Sequence, residues 1–212
     1  MTSMLKQTAL FETFRQMGVR FESFHGWAVP ARFRSLEEEV RAMREGVGLA
    51  DWSWMTKFDL KGPGLETPPP LGEQARCWQL GACHYLVTCE PVASEVTSER
   101  IRSLDQQAAV YGADVTSVFA DFRLAGPKSR DVLSKVTSLD VSETVLPDLA
   151  CAQSPLASVH CTLLRQDLSV APAFHLLVSR DWAESVWHAL LEAGEEFGMS
   201  LFGSEAWALI ET

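Results

Sequence analysis

The sequence predicts an α+β fold built from split βαβ units. Three observations carry this: stretches with apolar residues at helical spacing alternate with short apolar strands along the chain; two of the strands, SVHCTLLRQ and AFHLLVS, read as antiparallel neighbours joined by the turn-like DLSVAP; and no repeat or low-complexity segment interrupts the pattern. At 212 residues, with 47% hydrophobic and 22% charged, the chain has the composition of a globular protein and is long enough for one good core or two small ones.

Each element has its own signal. SMLKQTALFETFRQMG places Leu5, Leu10, Phe14 and Met17 on one helical face and stops at Gly18. SLEEEVRAMREG opens with Ser35 and Glu38 in capping-box positions, turns Leu36, Val40 and Met43 inward and ends at Gly46. WMTKFDLKG, with Met55, Phe58 and Leu60, reads as a half-buried strand, and CHYLVTC as a short apolar one. TSERIRSLDQQAAVYG is read as a helix with Ile101, Leu104, Ala108 and Tyr111 on its inner face, followed by the strand VFADFRLAG. Gly126-Pro127 starts the helix PKSRDVLSKVTSL, with the proline at its first position. DWAESVWHALLEAGEEFG is the last clear helix: Asp181 and Glu184 form an acidic capping box, Val186, Trp187, Leu190, Leu191 and Phe197 form the core stripe, and Gly198 ends it.

Charge and cysteine content exclude several functions. The net charge of −10 disfavours a nucleic-acid groove or an anionic membrane surface, and the basic residues do not cluster. The first residues, MTSMLKQTALFETF, lack the features of a signal peptide, and no apolar run approaches the length of a membrane span, so the expected location is the cytoplasm. Five cysteines without a C-x-x-C pair indicate neither a disulfide framework nor a zinc ribbon. The even spacing of Cys77, Cys83 and Cys89 would put them on one face of extended chain, where small buried hydrophobes are favoured over a soft-metal site; no metal site is expected. The five histidines show no metal-binding spacing, and neither a Gly-x-Ser-x-Gly elbow nor a phosphate loop is present.

FHGWAVPARFRSLEEEVRAMREGVGLADWSWMTKFDLKGPG, with its aromatic-Gly-Trp-x-x-Pro turn and Asp-x-Ser-x-Met-x-Lys strand, resembles the N-terminal block of the glycine cleavage T-protein (aminomethyltransferase) family. VFADFRLAGPKSRDVLSKVTSLD resembles that family's strand and Gly-Pro-Lys helix, and AFHLLVSRDWAESVWHALLEAGEEFGMSLFGSEA its later strand and helix. The three blocks occur in the family's order and cover about two thirds of the chain. The resemblance implies a T-protein-like folate-binding fold of ferredoxin-like units, with tetrahydrofolate in a central cavity and a carboxylate that positions its reactive nitrogen. The chain is expected to form one unit over 1–212 without the family's C-terminal β-barrel.

Departures from the family bear on activity. Its catalytic Asp lies on a glycine-rich turn, but the corresponding interval here begins with the shortcut GPGLETPPPLGEQ (62–74), in which Glu66 and Glu73 are the only acids. The catalytic residue is therefore unknown. Where the family has Arg-Thr-Gly-Tyr-Thr-Gly-Glu and Gly-Phe-Glu, this sequence has Arg165 to Ala171 and then Ala173-Phe174-His175, so Ala171 and His175 replace both pterin-binding carboxylates. Asp167 is the only acid nearby, and Trp207 stands where an arginine is expected. Met55, Arg165 and His175 are the residues that the resemblance places toward folate. From the sequence alone, Met55 reads equally as a core residue, Arg165 as a solvated strand end, His175 as a satisfied strand histidine, and Trp27 and Pro30 as residues that fix a turn. The implied function is a degenerate, non-catalytic aminomethyltransferase-like protein of one-carbon metabolism that holds tetrahydrofolate weakly. The alternative is a structural or assembly subunit with a hetero-oligomer partner, resembling the γ chain of heterotetrameric sarcosine oxidase. Trp52, Trp54 and Trp78 would suit such an interface if exposed.

Overall fold

Helix and strand alternate as expected, but the first element among the described residues is a strand. The computed structural model describes residues 5–210, and for 105–108 only the backbone. β1 (Lys6–Gln7) precedes a helix shorter than predicted, α1 (Phe11–Gln16), because Lys6 and Gln7 pair in parallel with Trp27 and Ala28. Leu10 and Phe14 are buried as the spacing requires, whereas Met17 is exposed; Ser3 and Met4 of the predicted helix lie outside the described residues. β2 (Arg20–Phe24) and β3 (Trp27–Arg32) form a hairpin across His25-Gly26, so Trp27 and Pro30 belong to a strand rather than to the turn. α2 (Leu36–Glu45) has the Ser35–Glu38 capping box.

β4 (Gly48–Asp51) and β5 (Thr56–Lys61) follow. After 62–74 come β6 (Ala75–Gly81) and β7 (His84–Cys89), a hairpin turning at Cys83 with φ 54°. The three cysteines therefore do not share the face of one strand: Cys77 and Cys89 are on different strands and Cys83 is in the turn between them. α3 (Ser94–Ala108) ends before β8 (Tyr111–Asp114), so Tyr111 is an exposed strand residue, not part of a helical face; the Ala108 side chain lies outside the described residues. β7 and β8 both pair antiparallel with β5 and lie on either side of it, so β7–α3–β8 is a split βαβ unit.

β9 (Phe119–Ala125) leads to α4 (Ser129–Val136), whose first residue is two positions beyond Pro127. β10 (Cys151–Leu156), β11 (Val159–Arg165) and β12 (Ala173–Ser179) are consecutive antiparallel strands, as expected for the latter two. α5 (Ala183–Gly194) follows a 3₁₀ turn over Arg180–Trp182; its N-cap is Trp182 with no side-chain cap, so the expected Asp181–Glu184 box does not form. β13 (Ser200–Leu201) and α6 (Ser204–Ala208) complete the described chain.

Among the described residues the strands form sheets ordered β1-β3-β2, β10-β11-β12-β9-β4-β13 and β6-β7-β5-β8, and no barrel closes. One face of the second sheet (Ala120, Phe122, Leu124, Phe174, Leu176) packs on Val132 and Leu133 of α4 and Val186, Trp187 and Leu190 of α5, forming the largest core. Side chains alternate across a strand, so Asp121, Arg123 and His175 must emerge on the opposite face. No helix among the described residues is long and apolar enough to cross a membrane.

Candidate functional site

The face opposite the helices carries charges that water does not reach. Asp121 and Arg123 are 0% and 1% exposed, and His175, the cross-strand partner of Arg123, is 3% exposed. His175 Nδ1 lies 3.0 and 3.2 Å from the two Asp121 oxygens, which fixes the proton on Nδ1 and leaves Nε2 as the ring's acceptor. From the other large sheet Lys57 Nζ reaches to 3.4 Å from Asp121 Oδ2 and donates to the Met55 carbonyl at 2.7 Å. Burial works to raise the Asp121 carboxyl, but His175 and Lys57 beside it outweigh burial and hold it below the usual carboxylate range. Burial, and then the Arg123 charge, push His175 below the ordinary imidazole value, so the ring is neutral near pH 7.

The Asp-x-Ser-x-Met-x-Lys stretch builds the next wall. Asp51 ends β4 and accepts from the Ser53 amide at 3.0 Å and from the Ser53 hydroxyl. The Ser53 hydroxyl oxygen accepts from the Asp121 amide at 3.1 Å, and the Trp52 amide donates to the Asp121 carbonyl at 2.7 Å. This turn is thereby pinned to β9, with Trp52 and Trp54 side by side, ring centroids 4.9 Å apart. Asp51 is fully buried, and burial raises its pKa.

α6 supplies a third wall. The carboxylate of buried Glu39 accepts from the amides of Phe33 (2.6 Å), Arg34 (2.7 Å) and Gly203 (2.9 Å), tying the start of α6 to α2 and to the end of β3. At Gly203 a Cβ would run into the Ala31 carbonyl, so only glycine allows this approach. Trp207 then lies 5.0 Å from Trp52, and the Arg123 guanidinium sits 4.8 Å above its ring. Arg123 also donates to the Gln166 carbonyl at 2.7 Å.

These walls enclose a cavity of about 350 Å³, within the small-molecule range. Its buried lining is Trp52, Trp54, Trp207, Arg123 and His175; its better-exposed lining includes Glu22, Met55, Glu90 and Gln166. Met55 and His175 therefore meet at one cavity, but Arg165 does not line it. Arg165 is buried, not solvated, and its guanidinium donates to Asp167 at 2.9 and 2.5 Å and to the Leu146 carbonyl at 2.7 Å. Asp167 is occupied by that pair and by the Ala173 amide. Ala171 is also outside the lining.

Sequence reasoning missed Asp121, Arg123, Lys57, Glu22, Glu90 and Gln166. For Asp121 and Arg123 there was a signal: charged residues inside a strand, FADFRLA, that is otherwise apolar.

The family model described as the GCVT N-terminal domain matches residues 10–67 and 74–210. The chain belongs to this family. The break between the matched segments, 68–73, falls in the proline stretch. Among curated relatives, an aminomethyltransferase of Acidobacterium capsulatum is 27% identical, matching 92% of this chain and 59% of its own length; one of Halothermothrix orenii is 26% identical, matching 92% and 61%. The chain thus spans about three fifths of the length of the relatives it matches. In fold it is similar to the glycine cleavage system aminomethyltransferase T of Bartonella henselae (TM-score 0.77, 17% identity, 98% of this chain and 62% of that one). It is also similar to a chain of the heterotetrameric sarcosine oxidase of Corynebacterium sp. U-96 (TM-score 0.60, 20% identity, 79% of this chain and 97% of that one).

The donor set fits a tightly held pterin poorly. A pterin presents an N–H edge that calls for a carboxylate; the buried lining described here contains none, Asp121 being turned to Lys57 and His175.

Proposed function

We propose that this chain is a non-catalytic member of the T-protein family that keeps the central cavity as a ligand site and binds tetrahydrofolate only weakly. The observation that carries this reading is the cavity's lining: three tryptophans, Arg123, Met55 and the neutral His175, with its two carboxylates, Glu22 and Glu90, in the better-exposed part and none in the buried part. Residues from β2, the β4–β5 turn, β9, β12 and α6 share this one cavity, which supports treating 1–212 as one unit; in this reading 62–74 stands where the family has its catalytic turn. Loss of a charge-assisted pair at the pterin edge is worth roughly 1.5–3 kcal/mol, or about ten- to a hundredfold in affinity. Calorimetric titration with 5-formyltetrahydrofolate should give a dissociation constant above about 1 μM; sub-micromolar binding would contradict the reading. Met55→Ala and His175→Ala should weaken the heat further. Arg165→Ala should alter stability more than affinity, because its guanidinium serves Asp167 and Leu146.

A second reading, a subunit of a larger assembly in the cytoplasm, is favoured by one observation: the match covers 97% of the oxidase chain, which comes from a heterotetramer. The tryptophans do not add to it, since Trp52, Trp54 and Trp78 are buried. Light scattering of this chain, alone and after co-expression with the products of adjacent genes, tests it: a stable hetero-complex supports the reading, and a monomer in both preparations contradicts it.

A further inference from the structure

We infer that the cleft where the two larger sheets part, away from the central cavity, is a second binding site, for a neutral single-ring molecule such as a phenol. It shares no lining residue with the central cavity and does not depend on what that cavity holds.

Strand alternation places this cleft. Directly paired residues of neighbouring strands share a face, so Gln153, Thr162 and Leu177 form one row on the six-stranded sheet, and Leu86 and Asp59 another on the four-stranded sheet. Both rows line the cleft. Steps of two residues along three segments lead to it from the central cavity: Arg123, Asp121 and Phe119; His175 and Leu177; Met55, Lys57 and Asp59. The first residue of each series lines the cavity and the last lines the cleft. The buried Lys57–Asp121 pair, 3.4 Å apart, holds the middle positions and keeps the two spaces separate.

Packing leaves the cleft open. Trp78, Leu86, Leu164 and Leu177 fill the layer between the sheets, but beside them Leu80, Val115 and Phe119 are only partly buried and Val118 is exposed. The space bounded by these apolar walls is about 210 Å³. An apolar cavity of about 150 Å³ already holds one benzene ring, and each Å² of apolar wall that a ring takes out of water stabilises the complex by about 25 cal/mol.

The polar groups fix the class of ligand. Asp59 is the one acid of the lining and Lys61 its one lysine or arginine; the two pair at 2.9 Å, and the other Asp59 oxygen lies 2.6 Å from His84 Nε2. A charged ligand would leave water without an unpaired opposite charge to meet it. The exposed His160 and Gln153 complete the lining. A hydroxyl both donates and accepts, so it suits an imidazole or a carboxamide in either orientation.

Methyl NMR of the full chain at pH 8, where an ordinary imidazole is neutral, tests the inference with p-cresol, p-toluate and 4-methylbenzylammonium. The expected result is saturable p-cresol binding with Kd below about 1 mM, seen as NOEs from its ring to the methyls of Leu86 and Leu177, and binding of both ions there at least about tenfold weaker. Weaker p-cresol binding, NOEs confined to the Met55 methyl of the central cavity, or an ion bound in the cleft within about tenfold of p-cresol would overturn it. NOEs to Met55 as well as to both leucines support it, since a second molecule in the central cavity leaves the cleft occupied.

Discussion

Asp121 keeps its charge in a place without water because Lys57 and His175 face it. Lys57→Met removes the cation and leaves the carboxylate short of its partner, a change expected to cost roughly 3–5 kcal/mol in urea unfolding. His175 gives a pH dependence of definite sign. Its native pKa is lowered by burial and by Arg123, so below about 6.5 the unfolded chain takes up a proton that the native ring refuses, and stability falls as pH falls. Asp121, also lowered, adds the same sign in more acid solution, whereas Asp51, raised by burial, stabilises below the unfolded carboxylate value and loses that contribution as pH rises. Comparison with His175→Gln isolates the ring: between pH 6 and 5 the unmutated protein should lose more stability than the variant, by up to about 1.4 kcal/mol per pH unit. Equal slopes would contradict a buried neutral imidazole. At this scale the sequence made Met55 and His175 visible through the family's motifs. Asp121 and Arg123 stand out in sequence only as charges in the otherwise apolar strand FADFRLA; that they are buried was not visible, because alternation says that two residues share a face and only the tertiary partner says which face is buried.

The elements that position the site were legible where local signals agree with packing. Ser35 and Glu38 start α2 as their spacing requires, and the β11–β12 hairpin forms around its turn. Local signals failed where a distant strand decided the outcome. Lys6 and Gln7 sit in a helical pattern but pair with β3, and Tyr111 continues a helical face in sequence but is drawn out beside Lys61 of β5. Short β4 and β13, parallel partners remote in sequence, carry little periodicity of their own. The placement of α6 gives a test at this scale. Gly203→Ala drives a methyl into the Ala31 carbonyl, so it should lower the thermal midpoint and weaken ligand binding together by shifting Trp207; a variant with unchanged binding would show that α6 does not set the cavity wall.

Over the whole molecule, the chain crosses from β5 to β6 by 62–74, with Leu65 and Leu71 buried in the core of the four-stranded sheet. Arg100 of α3 donates to the Leu71 carbonyl and so holds the segment down. This stretch is packed structure, and its acids, Glu66 and Glu73, are absent from the cavity lining. The sequence showed the fold through three ordered motif blocks, but the polarity of the cavity emerged only when β9, β12, the Trp52–Trp54 turn and α6 were brought together. A folate nitrogen bound here would find no carboxylate in the buried lining to position it, and proximity without that charge leaves most of the barrier in place. The most direct measurement is ammonia release from an aminomethylated lipoyl protein with saturating tetrahydrofolate. The expected result is a rate indistinguishable from the control without this protein, and tetrahydrofolate-dependent release above that control would contradict a non-catalytic assignment.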